Sequence, residues 1–125
     1  MATGEVLDTA ALLAWPVERL RGGLVVPGQR SELLRISPDR GLILEAADLI
    51  WATPSEEAIG RASVLATTTG DMAGLSAVDL EILALALERG ATLVTDDYRL
   101  QNLCEIAGIP WSSVTTEGIR SMWSW

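Results

Sequence analysis

Residues 91–98 read Ala91-Thr92-Leu93-Val94-Thr95-Asp96-Asp97-Tyr98. An apolar, β-branched run ending in two acids predicts a short buried strand that delivers carboxylates at its carboxyl end. Glu5-Val6-Leu7-Asp8-Thr9 repeats the arrangement near the amino terminus. Each run feeds a helical stretch: Thr9 to Trp15, stopped by Pro16, and Tyr98 to Ala107, closed by Gly108. Strand-then-helix units of this kind predict an α/β fold with a mainly parallel sheet. In such a sheet ligands bind beyond the carboxyl ends of the strands.

Between these units the chain alternates in the same way. Leu24 to Pro27 and Asp48 to Thr53 read as further extended pieces, the first after Gly22-Gly23 and the second closed by Pro54. Gln29 to Ile36 has helical spacing, Ser37-Pro38-Asp39-Arg40-Gly41 reads as a break, and residues 42–47 suit a short helix. Ser55 followed by Glu56 and Glu57 opens a helix that fades at Thr67–Gly70. Ala77 to Glu88, closed by Gly90, carries the clearest helical pattern, and Ile109 to Val114 reads as a last strand. The strands are expected to run about four to six residues, with Trp51 and Cys104 in the core. Residues 1–118 read as one domain, and 119–125, ending Met122-Trp123-Ser124-Trp125, as the start of a linker or a docked tail.

Composition removes whole classes of chemistry. The 125 residues contain no His and no Lys, and Cys104 is the only cysteine. Serine–histidine and cysteine–histidine mechanisms, imidazole ligation, Schiff bases, lysine-dependent phosphate loops and thiolate zinc sites are all excluded. A lysine-dependent phosphoacceptor or haloacid-dehalogenase-like phosphatase fails on the same ground. Carboxylates, hydroxyls and arginines remain. Met1 to Glu5 has no basic cluster ahead of an apolar run, and no apolar stretch approaches the ~20 residues of a membrane span. A cytoplasmic setting without membrane contact is expected. The net charge of −8 opposes a nucleic-acid partner, unless several acids hold divalent cations.

Asp8 and the Asp96-Asp97 pair close two different strands and so reach one edge of the sheet. The plainer alternative is that they cap the helices that follow. Asp79 lies at i, with Ile82, Leu83 and Ala86 at i+3, i+4 and i+7, so it heads the apolar stripe of its helix. An acid there needs a cation or a donor. Ser76 and Asp79 also have the spacing of a capping box, and both roles are compatible. Glu32 follows the Val26-Pro27 segment on the next helix, as ligand or as surface, with Glu45 as the substitute if the register differs. Four or five converging carboxylates call for a hard cation such as Mg²⁺ or Mn²⁺. With no His or Lys as base, a cation-activated water is the nucleophile this residue set leaves.

Three segments resemble the motifs of PIN-domain nucleases: Val6-Leu7-Asp8-Thr9-Ala10-Ala11-Leu12; Leu75-Ser76-Ala77-Val78-Asp79 with Ile82 to Ala86; and Leu93-Val94-Thr95-Asp96-Asp97-Tyr98 with Gln101-Asn102. Thr69-Gly70-Asp71 and Thr95-Asp96-Asp97-Tyr98 are similar to the archaeal Nin-one-binding branch of that family, which trims the 3′ end of small-subunit ribosomal RNA. The resemblance implies a three-layer α/β/α sandwich and a metal-dependent endoribonuclease using Asp8, Glu32, Asp79, Asp97 and Asp96. Asp8, Asp79, Asp97 and Asp96 would hold Mg²⁺ or Mn²⁺, with Asp97 at the family's ligand position and Asp96 an added acid. Thr9, Thr95, Ser76 and Asn102 would be hydrogen-bond partners of ligands or metal waters.

The implied substrate is RNA, in that branch precursor rRNA of the small ribosomal subunit. Arg19, Arg21, Arg30, Arg35 and Arg40 either line a path for it near Glu32 or form a solvated face. The ribosomal branch carries a zinc ribbon after its PIN domain; such a domain is expected C-terminal to residue 125 if the sequence is cut at that junction, the alternative being a stand-alone PIN domain. A VapC-like toxin ribonuclease working with an antitoxin, and an inactive scaffold that binds RNA or ribosomal proteins, are the alternatives.

Overall fold

A computed structural model describes residues 4–115. The sheet has five strands, β1 (Glu5–Leu7), β2 (Leu24–Val25), β3 (Ile50–Trp51), β4 (Thr92–Val94) and β5 (Trp111–Ser112), all parallel in the order β3-β2-β1-β4-β5. The chain builds outward from β1 in one direction through β2 and β3. It then crosses back to lay β4 and β5 on the other side. The junction between β1 and β4 is the topological switch point, where the crevice of an open parallel sheet forms.

Alternation along the strands separates two cores. Val6, Leu24 and Leu93 face a layer made by α5 (Glu56–Thr69), α6 (Ala77–Arg89) and α7 (Tyr98–Ala107). Leu7, Val25 and Val94 face the layer that contains α1 (Thr9–Ala14), α2 (Val17–Leu20), α3 (Gly28–Ile36) and α4 (Pro38–Leu44). The result is an α/β/α sandwich. Ala58, Ala62 and Ala66 form a small-residue stripe along α5, which packs beside α6. α6 ends on Gly90 at φ 61°, a left-handed residue that only glycine adopts without strain. Cys104 is core, and burial pushes its thiol up to about 12.

Several local expectations change. The strands are two or three residues long rather than four to six. Extended pairing nevertheless continues past them, because the Asp8 amide donates to the Val94 carbonyl at 3.0 Å and the Thr95 amide to Ser112 at 2.9 Å. The break expected over Ser37 to Gly41 is confined to Ser37, whose φ of −147° separates α3 from α4: Pro38 already opens α4, since its missing N–H and fixed φ suit a first helical position. α5 runs to Thr69 without fading, and β5 stops at Ser112. Trp51 is 44% exposed because β3 is an edge strand with a neighbour on one side only. Residues 119–125, including the tryptophan-bearing tail, lie outside the described residues.

Candidate active site

The register Leu7↔Val94 puts Asp8 and Thr95 level with each other, one residue beyond β1 and β4. Asp8 is the N-cap of α1: one carboxylate oxygen accepts from the Thr9 amide at 2.7 Å. The other accepts from the Thr95 hydroxyl, also at 2.7 Å. Thr95 is fully buried, and its oxygen in turn accepts from the Asp97 amide at 3.1 Å. Asp97 is the N-cap of α7 and accepts from the Arg99 amide at 2.8 Å. A single buried hydroxyl thus joins the acid after β1 to the turn after β4.

Asp79 lies in the first turn of α6. It closes the capping box expected from the sequence, accepting from the Ser76 amide at 3.1 Å while its own amide donates to the Ser76 hydroxyl at 3.0 Å. It is half-buried. The capping and ligand roles remain compatible, because the cap engages one of its oxygens. Asp79 and Asp97 lie near enough to Asp8 for their charges to act on it. Burial raises the Asp8 pKa above its ordinary value, and the charges of Asp79 and Asp97 push it the same way. The hydrogen bonds from Thr95 and Thr9 oppose this without cancelling it. Asp8, Asp79 and Asp97, from β1, α6 and the β4–α7 turn, therefore share one field.

Two buried glutamines brace the crevice, and neither stands out in the sequence as a site residue. Gln29 is fully buried; its carbonyl accepts from the Val26 amide at 2.9 Å. Its amide donates to the Leu7 carbonyl at 2.8 Å and reaches the Thr9 hydroxyl at 3.4 Å. Gln101 donates to the Thr95 carbonyl at 2.9 Å. Each fixes the backbone next to a carboxylate-bearing turn. The clue in the helical pattern is a glutamine on an apolar face, Gln29 four residues before buried Leu33 and Gln101 three before buried Cys104.

The other candidates divide. Glu32 is half-buried on α3, one turn after Gly28 and on the same face. A Cβ on Gly28 would lie 3.1 Å from Val78 of α6, so this end of α3 abuts the helix start that carries Asp79. Glu32 is nevertheless not among the charges that raise Asp8.

Asp96, expected among the metal ligands, stands apart from Asp8, Asp79 and Asp97 and is not among the charges that raise Asp8. It is exposed, and its two oxygens accept from the Ser113 and Thr115 hydroxyls and from the Val114 and Thr115 amides. Burial opposes its charged form, but those donors outweigh it and lower its pKa. Its place is tying down the chain after β5. Asn102 points to solvent on α7, and its neighbour Gln101 makes the contact at Thr95.

Glu45 is ion-paired with Arg30 at 2.6 Å, on the wall of an apolar cleft of about 190 Å³ that is also lined by Leu12, Leu33 and Trp51. The early arginines are mostly engaged within the fold. Arg19 stacks on Trp15 and pairs with Glu5, Arg21 pairs with Asp48, and Arg40 donates to the Leu12 and Trp15 carbonyls.

Among the described residues no three of His, Cys, Asp or Glu close to metal-ligand spacing. The donor set is nonetheless hard oxygen, and Asp79 and Asp97 each use one oxygen on a helix cap. Mg²⁺ is usually held by one or two carboxylates, keeping waters and substrate phosphate for the rest. By donor chemistry and by the field at Asp8, the residues fit such an ion.

Residues 6–88 match the model of a family described as the PIN domain of ribonuclease. The chain belongs to the PIN-domain family. The match runs through Asp8, Glu32 and Asp79 and stops before β4. Among relatives of this PIN domain, "Ribonuclease VapC1" of Thermoplasma acidophilum is 31% identical over 121 residues, covering 96% of this chain and 62% of the relative. "Endoribonuclease Nob1" of Methanothermobacter thermautotrophicus is 46% identical over 61 residues, covering 46% of the chain and 36% of the relative. "Ribonuclease VapC3" of Aeropyrum pernix is 36% identical over 115 residues, covering 83% and 81%. The chain thus spans less than two-thirds of the length of the first two relatives, 62% and 36%.

Proposed function

We infer that this PIN domain is a metal-dependent endoribonuclease that hydrolyses RNA phosphodiester bonds. The observation that carries the reading is the crevice between β1 and β4, where Asp8 is held by Thr95 in the joint field of Asp79 and Asp97. Relatives named as ribonucleases support it. Asp8, Asp79 and Asp97 would hold Mg²⁺ or Mn²⁺, with Glu32 on α3 as a further catalytic acid. A bound cation supplies charge stabilisation at the phosphate and acidification of a water. The chain's own residues fix the geometry: Thr95 and the Thr9 amide orient Asp8, and Gln29 and Gln101 lock the turns on either side. Zinc-ribbon and cytoplasmic assignments stay part of this reading.

The 3′ end of small-subunit precursor rRNA is the proposed substrate, supported by the Nob1-named relatives. A VapC-like toxin role, with an antitoxin partner, is the second reading. It is favoured by the alignment to VapC1 along nearly the whole chain. The test is cleavage of end-labelled RNA by the full chain with Mn²⁺, with EDTA, and with Asp8→Asn. Loss of cleavage in both controls, with the variant still folded, is the expected result; cleavage that survives Asp8→Asn overturns the reading. Cleavage confined to a precursor rRNA 3′ segment favours the first role, and growth arrest on expression favours the second.

A further inference from the structure

Arg99 differs from the arginines that serve the fold. It is exposed, sits in the first turn of α7 two residues after Asp97, and its amide caps onto that acid at 2.8 Å. Among the described residues it is in no ion pair. Its side chain lies flat on Gly74, where a Cβ would overlap Nε and stand 2.8 Å from Cδ and Cζ. Gly74 ends a short 3-10 turn (Met72–Gly74), two residues before the Ser76–Asp79 capping box. The guanidinium therefore spans the gap between the turn that carries Asp97 and the turn that leads to Asp79. The absence of a Cβ at Gly74 leaves room for it there.

We propose that Arg99 grips the RNA phosphate backbone at the rim of the acid crevice and sets substrate affinity. This rests on the nuclease reading and deepens it. A chain of net charge −8 repels a polyanion, so an RNA-cleaving crevice lined by carboxylates needs a cation at its entrance. A planar guanidinium meets a phosphate through two parallel N–H donors, which an ammonium does not reproduce. Packing on Gly74 reduces the side-chain freedom lost on binding.

The experiment measures binding of a labelled single-stranded RNA to the full chain in EDTA, which prevents cleavage, between 50 and 200 mM salt. Arg99→Gln is expected to weaken binding roughly tenfold and to shrink the slope of log K against log salt by about 0.7. Arg61→Gln, the same charge change on exposed α5, leaves both unchanged. Arg99→Lys recovers the salt slope but only part of the affinity. Gly74→Ala displaces the guanidinium and weakens binding in the wild type, yet adds nothing in the Arg99→Gln background. With Mn²⁺, Arg99→Gln raises KM and leaves kcat within about twofold.

An Arg99→Gln variant that keeps wild-type affinity and salt slope overturns the proposal. If that occurs while Asp8→Asn abolishes cleavage, the nuclease reading stands and only the assignment of Arg99 falls. If the wild type neither binds nor cleaves RNA, both fall.

Discussion

Asp8 stands one residue past β1 and Asp96 two past β4, at the same edge of the sheet, yet their surroundings drive them in opposite directions. Asp8 is half-buried, receives two hydrogen bonds and feels two like charges, so its pKa rises. Asp96 is exposed and receives four hydrogen bonds from residues 113–115, so its pKa falls. An acid whose charge the fold leaves under-compensated is suited to hold a cation. An acid saturated with donors is a clasp. Position at a strand end does not separate the two; the supply of donors does.

The sharpest way to break this contrast is to neutralise each acid in turn. Asp8→Asn is expected to reduce RNA cleavage by at least about a thousandfold, measured as kcat/KM with Mn²⁺. In the wild type, Mn²⁺ at a hundred times its Kd is expected to stabilise the fold by about 2.7 kcal/mol, read as a rise in melting temperature. Most of that rise disappears in Asp8→Asn.

Thr95→Val tests whether the shared hydroxyl matters. It is isosteric but leaves Asp8 with one donor and the Asp97 amide with no acceptor. Activity is expected to fall about 10–100-fold, in the range for residues that orient ligands. Unfolding should come about 1–3 kcal/mol more easily in denaturant titration. Wild-type kinetics in Thr95→Val would dissolve the link between the two turns.

Asp96→Ala should do the reverse of Asp8→Asn. Stability falls by about 1 kcal/mol through loss of an exposed clasp, while kcat/KM stays within about twofold. A large catalytic loss would return Asp96 to the site.

The smallest effect is a crossing in pH. Because the Asp8 pKa is raised in the fold, its contribution to stability is present below the ordinary carboxylate value of 3.8 and lost as pH rises through the folded value. Asp96 is lowered, so its contribution is present above 3.8 and lost as pH falls through its folded value. Without metal, Asp8→Asn is expected to raise the melting temperature at pH 7. That gain should vanish near pH 3. Asp96→Asn lowers the melting temperature at pH 7, and its deficit shrinks over the same range.

Much of this was legible before any coordinates. Asp8, Asp79 and Asp97 each stand where an apolar pattern stops, which is the mark of a polar group placed at the boundary of a core. Residue pattern alone does not rank Asp96 against Asp97; only the family resemblance does, by putting Asp97 at the ligand position. Neighbouring residues in an extended turn face opposite ways, and the donors that claim Asp96 lie 17 to 19 residues downstream. The roles of Gln29 and Gln101 depend on which backbone carbonyls the sheet register brings within reach, and no local spacing encodes that. Trp51 looked like core because its neighbours are apolar; its exposure follows from β3 being an outer strand, a property of topology. Pro38 has two readings, terminator or helix opener, and only the packing of α4 on α3 chooses between them.

The Thr95 hydroxyl has a single hydrogen. With the Asp97 amide already directed at its oxygen, that hydrogen is left to point across to β1. The side chain works as a one-way relay of polarity. A perturbation of the loop after β4 reaches the ionisation of Asp8 through a reoriented O–H alone, while the two strands stay in register.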